Sequence, residues 1–436
     1  MEKAFKNLLK SQFSYLCNSK ILLAVSGGID SVVLTHLCKA AKLDFNLAHC
    51  NFHLREVASD IDESFVKALA KKLEVEFYVE NFDTTKYAKA HGLSTQMAAR
   101  ELRYDWFNEI KARHNFDYIL TAHHANDDVE TFFINLVRGA GLEGLSGINP
   151  VNNELIRPLL TFSRKEIEAY AEEHHIEWRE DHTNAETKYI RNKIRHQLVP
   201  LLEEMNPKFL ETFLKTQSHL RENEALVEDY LSLLYPKIIA KTTYGYSLDI
   251  NYLKKIPNTA PVLYQLLKTF GFTEWNDIYN LLEAQPGKMV FSPSHRLVKD
   301  RDYLILTERN LLEDKIYKIA KTDEFAMLPM GTFSFSEVEE IEDKHEHCIY
   351  VDPEKLEYPL VVRKWQTGDY FYPFGMRGKK KISDFFKDNK LSLPEKENSW
   401  LLCSGDKIVW VINRRADRRF SITLPGQKII KITCHL

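Results

Sequence analysis

Residues 24–34 read AVSGGIDSVVL, and they are the strongest indication of the fold class. The apolar run that leads into it predicts a β-strand, and the apolar periodicity that follows predicts an α-helix. Two glycines lie at the junction. Glycine permits backbone angles closed to other residues, so successive N–H groups can converge on an anion at the positive end of the helix dipole. The junction therefore predicts a loop that can wrap a pyrophosphate group.

The six residues of this loop are the predicted nucleotide-binding residues: Ser26, Gly27, Gly28, Ile29, Asp30 and Ser31. The serine hydroxyls can add hydrogen bonds, and Asp30 offers a hard oxygen ligand for the Mg²⁺ that accompanies ATP. Asp30 is therefore a predicted metal ligand and a predicted catalytic residue. The loop matches neither GxxxxGK[ST] nor GxGxxG. The alternative to a phosphate-binding loop is an ordinary tight turn between strand and helix. An isolated Gly-Gly pair, without the surrounding residues, would favour that alternative.

Strand-like and helix-like runs alternate through the first ~200 residues, about one large domain in length. The strand-like runs are ILLAVS, FNLAHC, VEFYVE and DYILTAHH, and the helix-like stretches cover residues 30–42, 58–72, 95–114 and 126–138. Strands that alternate with helices of this length predict a doubly wound parallel sheet with helices on both faces. Such a sheet binds its ligand at the carboxyl ends of the strands.

The pattern changes after this α/β domain. Ser163 and Glu166 have the spacing of a capping box, which predicts a helix start. Charged helical patterns follow, and short β-prone runs begin near Pro286. The chain is predicted to hold an α/β domain, a mainly helical middle domain and a small β-rich C-terminal domain, with the bounds 1–210, 211–315 and 320–436.

The charges are unevenly distributed along the 436 residues. The formal net charge is −3, yet residues 361–436 carry 16 Lys and Arg against 7 Asp and Glu. A positive segment beside an acidic remainder suits contact with a phosphate backbone, because released counterions supply sequence-independent affinity. A solvated basic face is the alternative, and composition alone does not decide between them.

Six scattered cysteines, with no CxxC pair, disfavour a disulfide framework and an iron–sulfur or thiol-relay site. The N-terminus lacks the apolar core of a signal peptide, and no later run is long and apolar enough to span a bilayer. We therefore expect a cytoplasmic protein without a membrane partner. The sequence does not decide the oligomeric state, and a homodimer stays open.

The loop SGGIDS resembles the signature of the PP-loop ATP pyrophosphatases, which adenylate a carbonyl oxygen with ATP. Further stretches resemble one branch of that superfamily, the tRNA(Ile)-lysidine synthetases, and together they cover most of the chain. They are HCNFHLRE (49–56), QMAARELRYDWF (96–107), TAHHANDDVETFFINLVRGAGLEGLSG (121–147), DHTNAETKYIRNKIRHQLVPLL (181–202) and RKWQTGDYFYPFGMRGKKKISDFF (363–386).

The resemblance assigns roles to individual residues. It implies that His49 belongs to the nucleotide site, that Met97 packs against adenine and that Arg100 reaches the phosphates. Without the resemblance, Met97 would be a core residue and Arg100 a surface cation. Asp127 and Glu130 are three residues apart and lie on one helix face, so both carboxylates can bind a cation. The resemblance makes them the lysine-binding and catalytic pair.

Two basic clusters are predicted to contact tRNA phosphates. The first lies at the rim of the α/β domain and consists of Lys188, Arg191, Lys193 and Arg195. The second lies in the C-terminal module and consists of Lys379, Lys380, Lys381, Arg414, Arg415, Arg418 and Arg419. Asp128 is a second candidate for the lysine site, and the sequence does not divide the work among the three acidic residues.

The resemblance implies a reaction in two steps. ATP adenylates the C2 oxygen of the wobble cytidine in the CAU anticodon of tRNA(Ile) and releases pyrophosphate. The ε-amine of free L-lysine then displaces AMP to form lysidine, which changes the codon read from AUG to AUA. The alternatives are a tRNA cytidine thiolase, which normally needs paired cysteines, a non-catalytic RNA-binding protein, and a small-molecule ligase that would leave the basic module unexplained.

Overall fold

The computed structural model describes residues 1–54, 57–179, 190–309, 315–341, 345–423 and 427–435. The chain divides into two compact units, Met1–Glu228 and Asp229–Leu436. Lys188 and the segment 181–184, which carry part of the sequence motifs, lie outside the described residues.

The first unit is an α/β domain. Its strands are β1 (Lys20–Ala24), β2 (Asp44–Asn51), β3 (Phe77–Asn81), β4 (Tyr118–Leu120), β5 (Val151–Asn152) and β6 (Leu155–Ile156). Its helices are α1 (Glu2–Gln12), α2 (Ile29–Ala40), α3 (Val57–Leu73), α4 (Thr84–His91), α5 (Thr95–His114), α6 (Ala125–Val137), α7 (Leu142–Leu145), α8 (Arg164–Glu173), α9 (Ile190–Lys193) and α10 (Val199–Met205). The long helix α11 (Phe209–Ile238) contains the division between the units.

The six strands form one sheet in the order β3-β2-β1-β4-β6-β5, parallel except for the β5–β6 pair. The chain order reverses at β1, because β2 and β3 lie on one side of it and β4 and β6 on the other. Doubly wound sheets bind ligands in the crevice that such a reversal opens at the carboxyl ends of the strands. The predicted doubly wound fold is confirmed, and so is the capping box of α8.

Strand β1 is buried on both faces of the sheet. Ile21 and Leu23 pack into one apolar cluster with helix α2, whereas Leu22 points to the opposite face and packs with Trp106 and Phe107 of α5. This alternation explains why the strand is an unbroken apolar run. The packing holds the end of β1, and with it the start of the glycine loop, in a fixed position.

The second unit begins with helices and an antiparallel sheet. Its elements up to residue 309 are β7 (Ile239–Thr242), β8 (Gly245–Asp249), α12 (Ile250–Leu253), α13 (Thr259–Leu267), α14 (Trp275–Leu281), β9 (Met289–Phe291), β10 (His295–Asp300) and β11 (Tyr303–Glu308). The strands have the order β7-β8-β11-β10-β9. The helical middle region is confirmed, but its sheet starts earlier than the sequence predicts. Residues 241–247, KTTYGYS, form most of a hairpin without the apolar alternation that would reveal it.

The C-terminal part is β-rich, as predicted. Its elements are β12 (Tyr317–Ile319), β13 (Phe325–Leu328), β14 (Gly331–Val338), β15 (Cys348–Val351), β16 (Leu360–Lys364), β17 (Tyr370–Phe371), β18 (Lys380–Lys381), α15 (Ile382–Asp388), α16 (Leu393–Glu397), β19 (Trp400–Ser404), β20 (Lys407–Val411), β21 (Arg415–Ala416) and β22 (Ile429–His435). They form sheets with the orders β12-β16-β19-β20-β21, β13-β14-β22-β15 and β17-β18. None of the helices described above has the length and apolar character of a membrane span.

Candidate active site

Hydrogen bonds within the glycine loop hold its conformation. Gly27 has a φ of +94°, which favours glycine, and Gly28 is the N-cap of α2. The Ser31 hydroxyl donates to the carbonyl of Gly28 at 2.9 Å and accepts from the Ser26 N–H at 3.2 Å. The Ser26 hydroxyl accepts from the Gly28 N–H at 3.3 Å. Both hydroxyls are thus held beside the first turn of α2, whose N–H groups have no partners within the helix. This is the arrangement that a phosphate-binding loop requires.

A cavity of about 510 Å³ opens at the carboxyl ends of β1, β2 and β4. It combines the glycine loop with residues that follow β4 and with side chains of α5. The polar and charged residues that line it are Ser26, Asp30, Ser31, His49, Asn51, Ser59, Asp62, Arg103, Tyr104, Thr121, His123, Asp127 and Arg191. The loop and one member of the predicted acidic pair therefore meet in a single cavity.

The three predicted nucleotide-binding residues outside the glycine loop are His49, Met97 and Arg100, and only His49 lines the cavity. His49 lines the cavity, and its Nδ1 lies 2.8 Å from the carbonyl of Val25; burial lowers the pKa of His49, so the ring is neutral at pH 7. Met97 is 53% exposed, and the Arg100 guanidinium lies over the Tyr104 ring. Neither Met97 nor Arg100 is among the residues that line the cavity. Their contacts with adenine and phosphate stay predictions.

Arg103 and Tyr104 line the cavity from α5 and were not singled out from the sequence. The Arg103 guanidinium lies 5.2 Å from the centre of the Phe52 ring, which also lines the cavity. Both residues belong to the same motif as Arg100, three and four positions further along the helix. Only the orientation of α5 against the sheet determines which turn faces the cavity.

Asp30 is held by a cation that the sequence reading missed. Nη1 of Arg164 lies 2.7 Å from both carboxylate oxygens of Asp30. Arg164 is the first residue of α8, where the helix dipole disfavours a cation. That unfavourable position was the one sequence signal that could have identified it.

Two adjacent histidines follow β4 and have different surroundings. His123 lines the cavity, and its Nδ1 lies 3.0 Å from the Thr121 hydroxyl oxygen. Burial lowers the pKa of His123 to about 4, although Asp127 opposes the shift, so the ring is neutral at pH 7. His124 is buried, and its Nε2 lies 3.6 Å from both Asp30 and Asp127. His124 thus connects the glycine loop to helix α6.

Asp127 is the acidic residue that faces the cavity. Its Oδ2 accepts from the backbone N–H of His124 at 3.1 Å, which caps helix α6 and fixes the carboxylate. Burial would raise the pKa of Asp127, but His124, His123 and Arg191 outweigh it and leave the pKa below the usual value. Asp127 is therefore an anion at neutral pH, aimed at the cavity.

Glu130 lies on the same side of α6, as predicted, but it does not reach the cavity. It is 1% exposed, and its carboxylate pairs with Nε of Arg195 at 2.6 Å and with Nε of Arg191 at 3.1 Å. Arg195 also lies 3.6 Å from Asp127. The two arginines predicted to contact tRNA are thus bound to the acidic pair, while Lys193 is exposed on α9. A direct contact of Glu130 with lysine would need both arginines to move.

Asp128 is buried in an ion pair that stabilises the fold and does not face the cavity. It is fully buried, pairs with Arg221 of α11 at 2.8 Å and accepts from the N–H of Ile148 at 2.5 Å. Arg221 also donates to the carbonyls of Ser146 and Ile148. Asp128 therefore joins α6, the loop after α7 and α11, away from the cavity.

Comparison with known proteins identifies the family. Family models described as PP-loop domain, TilS substrate binding domain and TilS substrate C-terminal domain match residues 1–202, 241–309 and 360–433. The tRNA(Ile)-lysidine synthase of Parabacteroides distasonis is 40% identical over 415 residues, which cover 94% of each chain. The chain belongs to the tRNA(Ile)-lysidine synthase family.

A second relative agrees with this membership. The tRNA(Ile)-lysidine synthase of Bacteroides thetaiotaomicron is 38% identical over 426 residues, 97% of each chain. Among solved structures, the U34-tRNA thiolase NcsA from Methanococcus maripaludis with its [4Fe-4S] cluster has a TM-score of 0.43 at 18% identity, covering 50% of this chain and 78% of that one. As a member of the lysidine synthase family, the chain is a tRNA-modifying ligase that uses ATP.

The predicted C-terminal cations of this family member lie in the second unit, and several have partners. Lys379 lies over the Tyr370 ring, Lys380 pairs with Asp388 at 2.5 Å, and Lys381 is exposed. The tRNA contacts of these lysines stay predictions.

Arg414 and Arg415 lie at the end of β20 and the start of β21. Arg415 is exposed, whereas Arg414 lies 3.8 Å from Glu395 in a cleft between β8 and β19. Of the two, Arg415 is therefore the more accessible to a phosphate.

Mg²⁺ is implied by the ATP chemistry of the lysidine synthase family, and the residues at the loop fit it. Asp30 supplies carboxylate oxygens and Ser31 a hydroxyl oxygen in the cavity, and Mg²⁺ is usually held by one or two carboxylates together with substrate phosphates. When bound, the ion would neutralise charge on the departing pyrophosphate. Within the described ranges, no group of three or more His, Cys, Asp or Glu side chains is arranged to hold a metal without such a substrate.

Proposed function

We propose that this enzyme ligates L-lysine to C2 of the wobble cytidine in the CAU anticodon of tRNA(Ile) through an adenylated intermediate. The observation that carries the proposal is the meeting of the glycine loop and Asp127 in one cavity. A phosphate-binding loop beside an ionised carboxylate suits a reaction that first activates an oxygen with ATP and then admits an amine.

In the adenylation step, the loop residues Ser26 to Ser31 bind the β- and γ-phosphates. The hydroxyls of Ser26 and Ser31 lie 3.3 Å apart, so both can contact one phosphate group. Asp30 would hold Mg²⁺, which would add positive charge beside the phosphates. The loop hydroxyls and N–H groups stabilise the charge that develops as the C2 oxygen of cytidine attacks the α-phosphate and pyrophosphate departs. An unpaired anticodon base can reach such a cavity at little cost, because it need not be taken out of a duplex.

In the ligation step, Asp127 binds an ammonium group of lysine. Arg191 lines the same cavity and is held by Glu130, so it can bind the α-carboxylate. Glu130 thus contributes to lysine binding through the arginine that it orients. Lysine held by these two groups presents its ε-amine, once that group has released a proton, for attack on C2. The new C–N bond forms as the bond from C2 to the oxygen of AMP breaks, and the fixed geometry lowers the entropy cost of a bimolecular encounter.

The thiolase alternative lacks support from the cavity. Cys50 is the one cysteine among the described residues that line it, and burial raises the pKa of Cys50 to about 12. A thiol with that pKa is protonated at neutral pH and is a poor nucleophile. A non-catalytic RNA-binding protein would have no need for an ionised Asp127 beside a phosphate loop.

The test incubates the protein with ATP, radiolabelled lysine and an unmodified tRNA(Ile) transcript bearing CAU. We expect lysine-dependent label on this tRNA together with release of AMP and pyrophosphate. A transcript in which the wobble cytidine is replaced by uridine is the matched control and should take up no label. Absence of label on the CAU transcript, in a preparation that binds ATP, would contradict the proposal.

Lys379 and Lys381 are proposed to contact tRNA phosphates. Replacing both by Ala should weaken tRNA binding and lower the slope of log Kd against log salt concentration by about 2, one unit for each lost phosphate contact. Filter binding across a salt series measures the slope, and ATP binding should not change. Exposed Lys407, on β20 of the same domain, is the matched control. A slope change of about 1 in Lys407→Ala, the same change for each charge removed, would show that only net charge matters.

A further inference from the structure

The ion pair between Asp30 and Arg164 joins two parts of the first unit that are 134 positions apart in sequence. A single nitrogen of Arg164, Nη1, lies 2.7 Å from both Oδ1 and Oδ2 of Asp30. Both oxygens of the proposed Mg²⁺ ligand are therefore engaged by one guanidinium. Mg²⁺ and Arg164 compete for the same carboxylate.

Contacts of the Arg164 backbone and of its Nε hold the residue in place, so the end of the guanidinium can change partners without a movement of the helix. Its backbone N–H donates to the Asn126 side chain at 3.0 Å, which ties the start of α8 to the start of α6. Its Nε donates to Glu168 one turn further along α8, at 2.7 Å. The guanidinium is thus held over the glycine loop from the α8 side, with its Nε donating to Glu168 and its Nη1 donating to Asp30.

The position of Arg164 on helix α8 makes the side chain depend on neighbouring anions. It is the first residue of α8, at the positive end of that helix dipole. Its side chain is 39% exposed and that of Asp30 27%, so water reaches the pair and the pair is easily broken. A cation in this position needs anions beside it, which Asp30 and Glu168 supply, and it lies next to the loop that is proposed to receive the phosphates of ATP.

We infer that Arg164 is a phosphate-binding catalytic residue that neutralises Asp30 until the nucleotide arrives. When Asp30 takes up Mg²⁺, the guanidinium of Arg164 turns from the carboxylate to the polyphosphate chain and stabilises the charge on the departing pyrophosphate. The guanidinium fork is suited to phosphate oxygens and stays charged throughout. This inference rests on the adenylation step proposed above.

Arg164 is proposed to compete with Mg²⁺ for Asp30 and to bind the phosphates of ATP. Replacing it should therefore strengthen metal binding and weaken ATP binding. Arg164→Gln removes the competitor of the metal, so Mn²⁺, used as a paramagnetic probe for Mg²⁺, should bind the nucleotide-free protein more tightly. The same variant should bind ATP at least about tenfold more weakly and release pyrophosphate about 10²- to 10³-fold more slowly in a single turnover with tRNA, the loss that follows removal of one charge-stabilising donor. Its KM for lysine should not change.

Lys165→Gln is the matched control, since Lys165 is adjacent, carries the same charge and pairs with Glu203 on the surface. It should leave Mn²⁺ and ATP binding unchanged. Arg164→Lys should keep part of the ATP affinity, and it also tests the inference if the Gln variant does not fold.

The results separate this inference from the proposed function. Weaker binding of both Mn²⁺ and ATP in a folded Arg164 variant would show that the Asp30–Arg164 ion pair has only a structural role, and it would overturn the inference. Unchanged ATP binding would overturn it as well. Failure of the proposed function appears differently, as a wild-type protein that binds ATP and Mn²⁺ but puts no lysine on tRNA.

Discussion

Asp127→Asn is expected to lower kcat/KM for lysine by about 30- to 4,000-fold, because losing one partner of a desolvated charge pair costs about 2–5 kcal/mol. Asparagine has the same shape and can still accept the bond from the His124 N–H that caps α6. The variant should therefore fold normally. What it lacks is the negative charge that binds the ammonium group of lysine.

The measurement separates the two chemical steps. Pyrophosphate release from ATP and tRNA in the absence of lysine reports the first step, and transfer of radiolabelled lysine reports both. We expect Asp127→Asn to keep pyrophosphate release within a few-fold of the wild type, whereas lysine transfer collapses. Asp105→Asn, an exposed change on α5, is the control. An equal loss of pyrophosphate release and of lysine transfer would indicate that Asp127 acts in the adenylation step, and it would contradict a role restricted to lysine binding.

Gly147→Ala is expected to destabilise the first unit by about 3–5 kcal/mol, the cost of breaking a buried ion pair. A Cβ atom at this position would lie 2.1 Å from Oδ1 of Asp128, and Gly147 has a φ of +77°. The carboxylate would have to leave its place between Arg221 and the N–H of Ile148. Arg221 would then be left partly buried without its anion.

The free energy of unfolding is best measured by urea titration of the full chain, with hydrogen exchange of α6 amides reporting on the first unit separately. Gly141→Ala is the control in the same loop region. Its added Cβ would meet no heavy atom within 4 Å, and its φ of −76° suits alanine. We expect a change within about 0.5 kcal/mol for the control. Equal stability of the two variants would contradict the clash at Asp128.

Local pattern was enough to predict the fold of the first unit. The periodicity of residues 95–114 predicts a helix, and α5 has those bounds. The glycine loop is predictable for the same reason, since strand, glycines and helix are adjacent in sequence and their geometry depends on near neighbours. The β7–β8 hairpin shows the limit, because its residues carry little apolar alternation and its pairing with β11 depends on a strand about 60 positions away.

The acidic residues of α6 show which part of a site the spacing of residues in the sequence cannot predict. The interval of three residues puts Asp127 and Glu130 on one side of the helix, as both contacts with Arg195 show. Spacing does not reveal which carboxylate faces a cavity and which is buried. That depends on the segment with Arg191 and Arg195, more than 60 positions further along the chain, which packs over Glu130 and leaves Asp127 open.

The order of residues is enough to predict the glycine loop, the alternation of strands and helices, and the residue types available for binding phosphate, ammonium and RNA. These depend on short-range backbone preferences and on side-chain chemistry, both of which are readable along the chain. Three features of the site become visible only in the folded chain: Arg164 holds Asp30, Arg103 rather than Arg100 lines the cavity, and Asp128 is buried in an ion pair away from the cavity. Each of these depends on how distant elements pack together, and the burial and partners that result cannot be read from residue order.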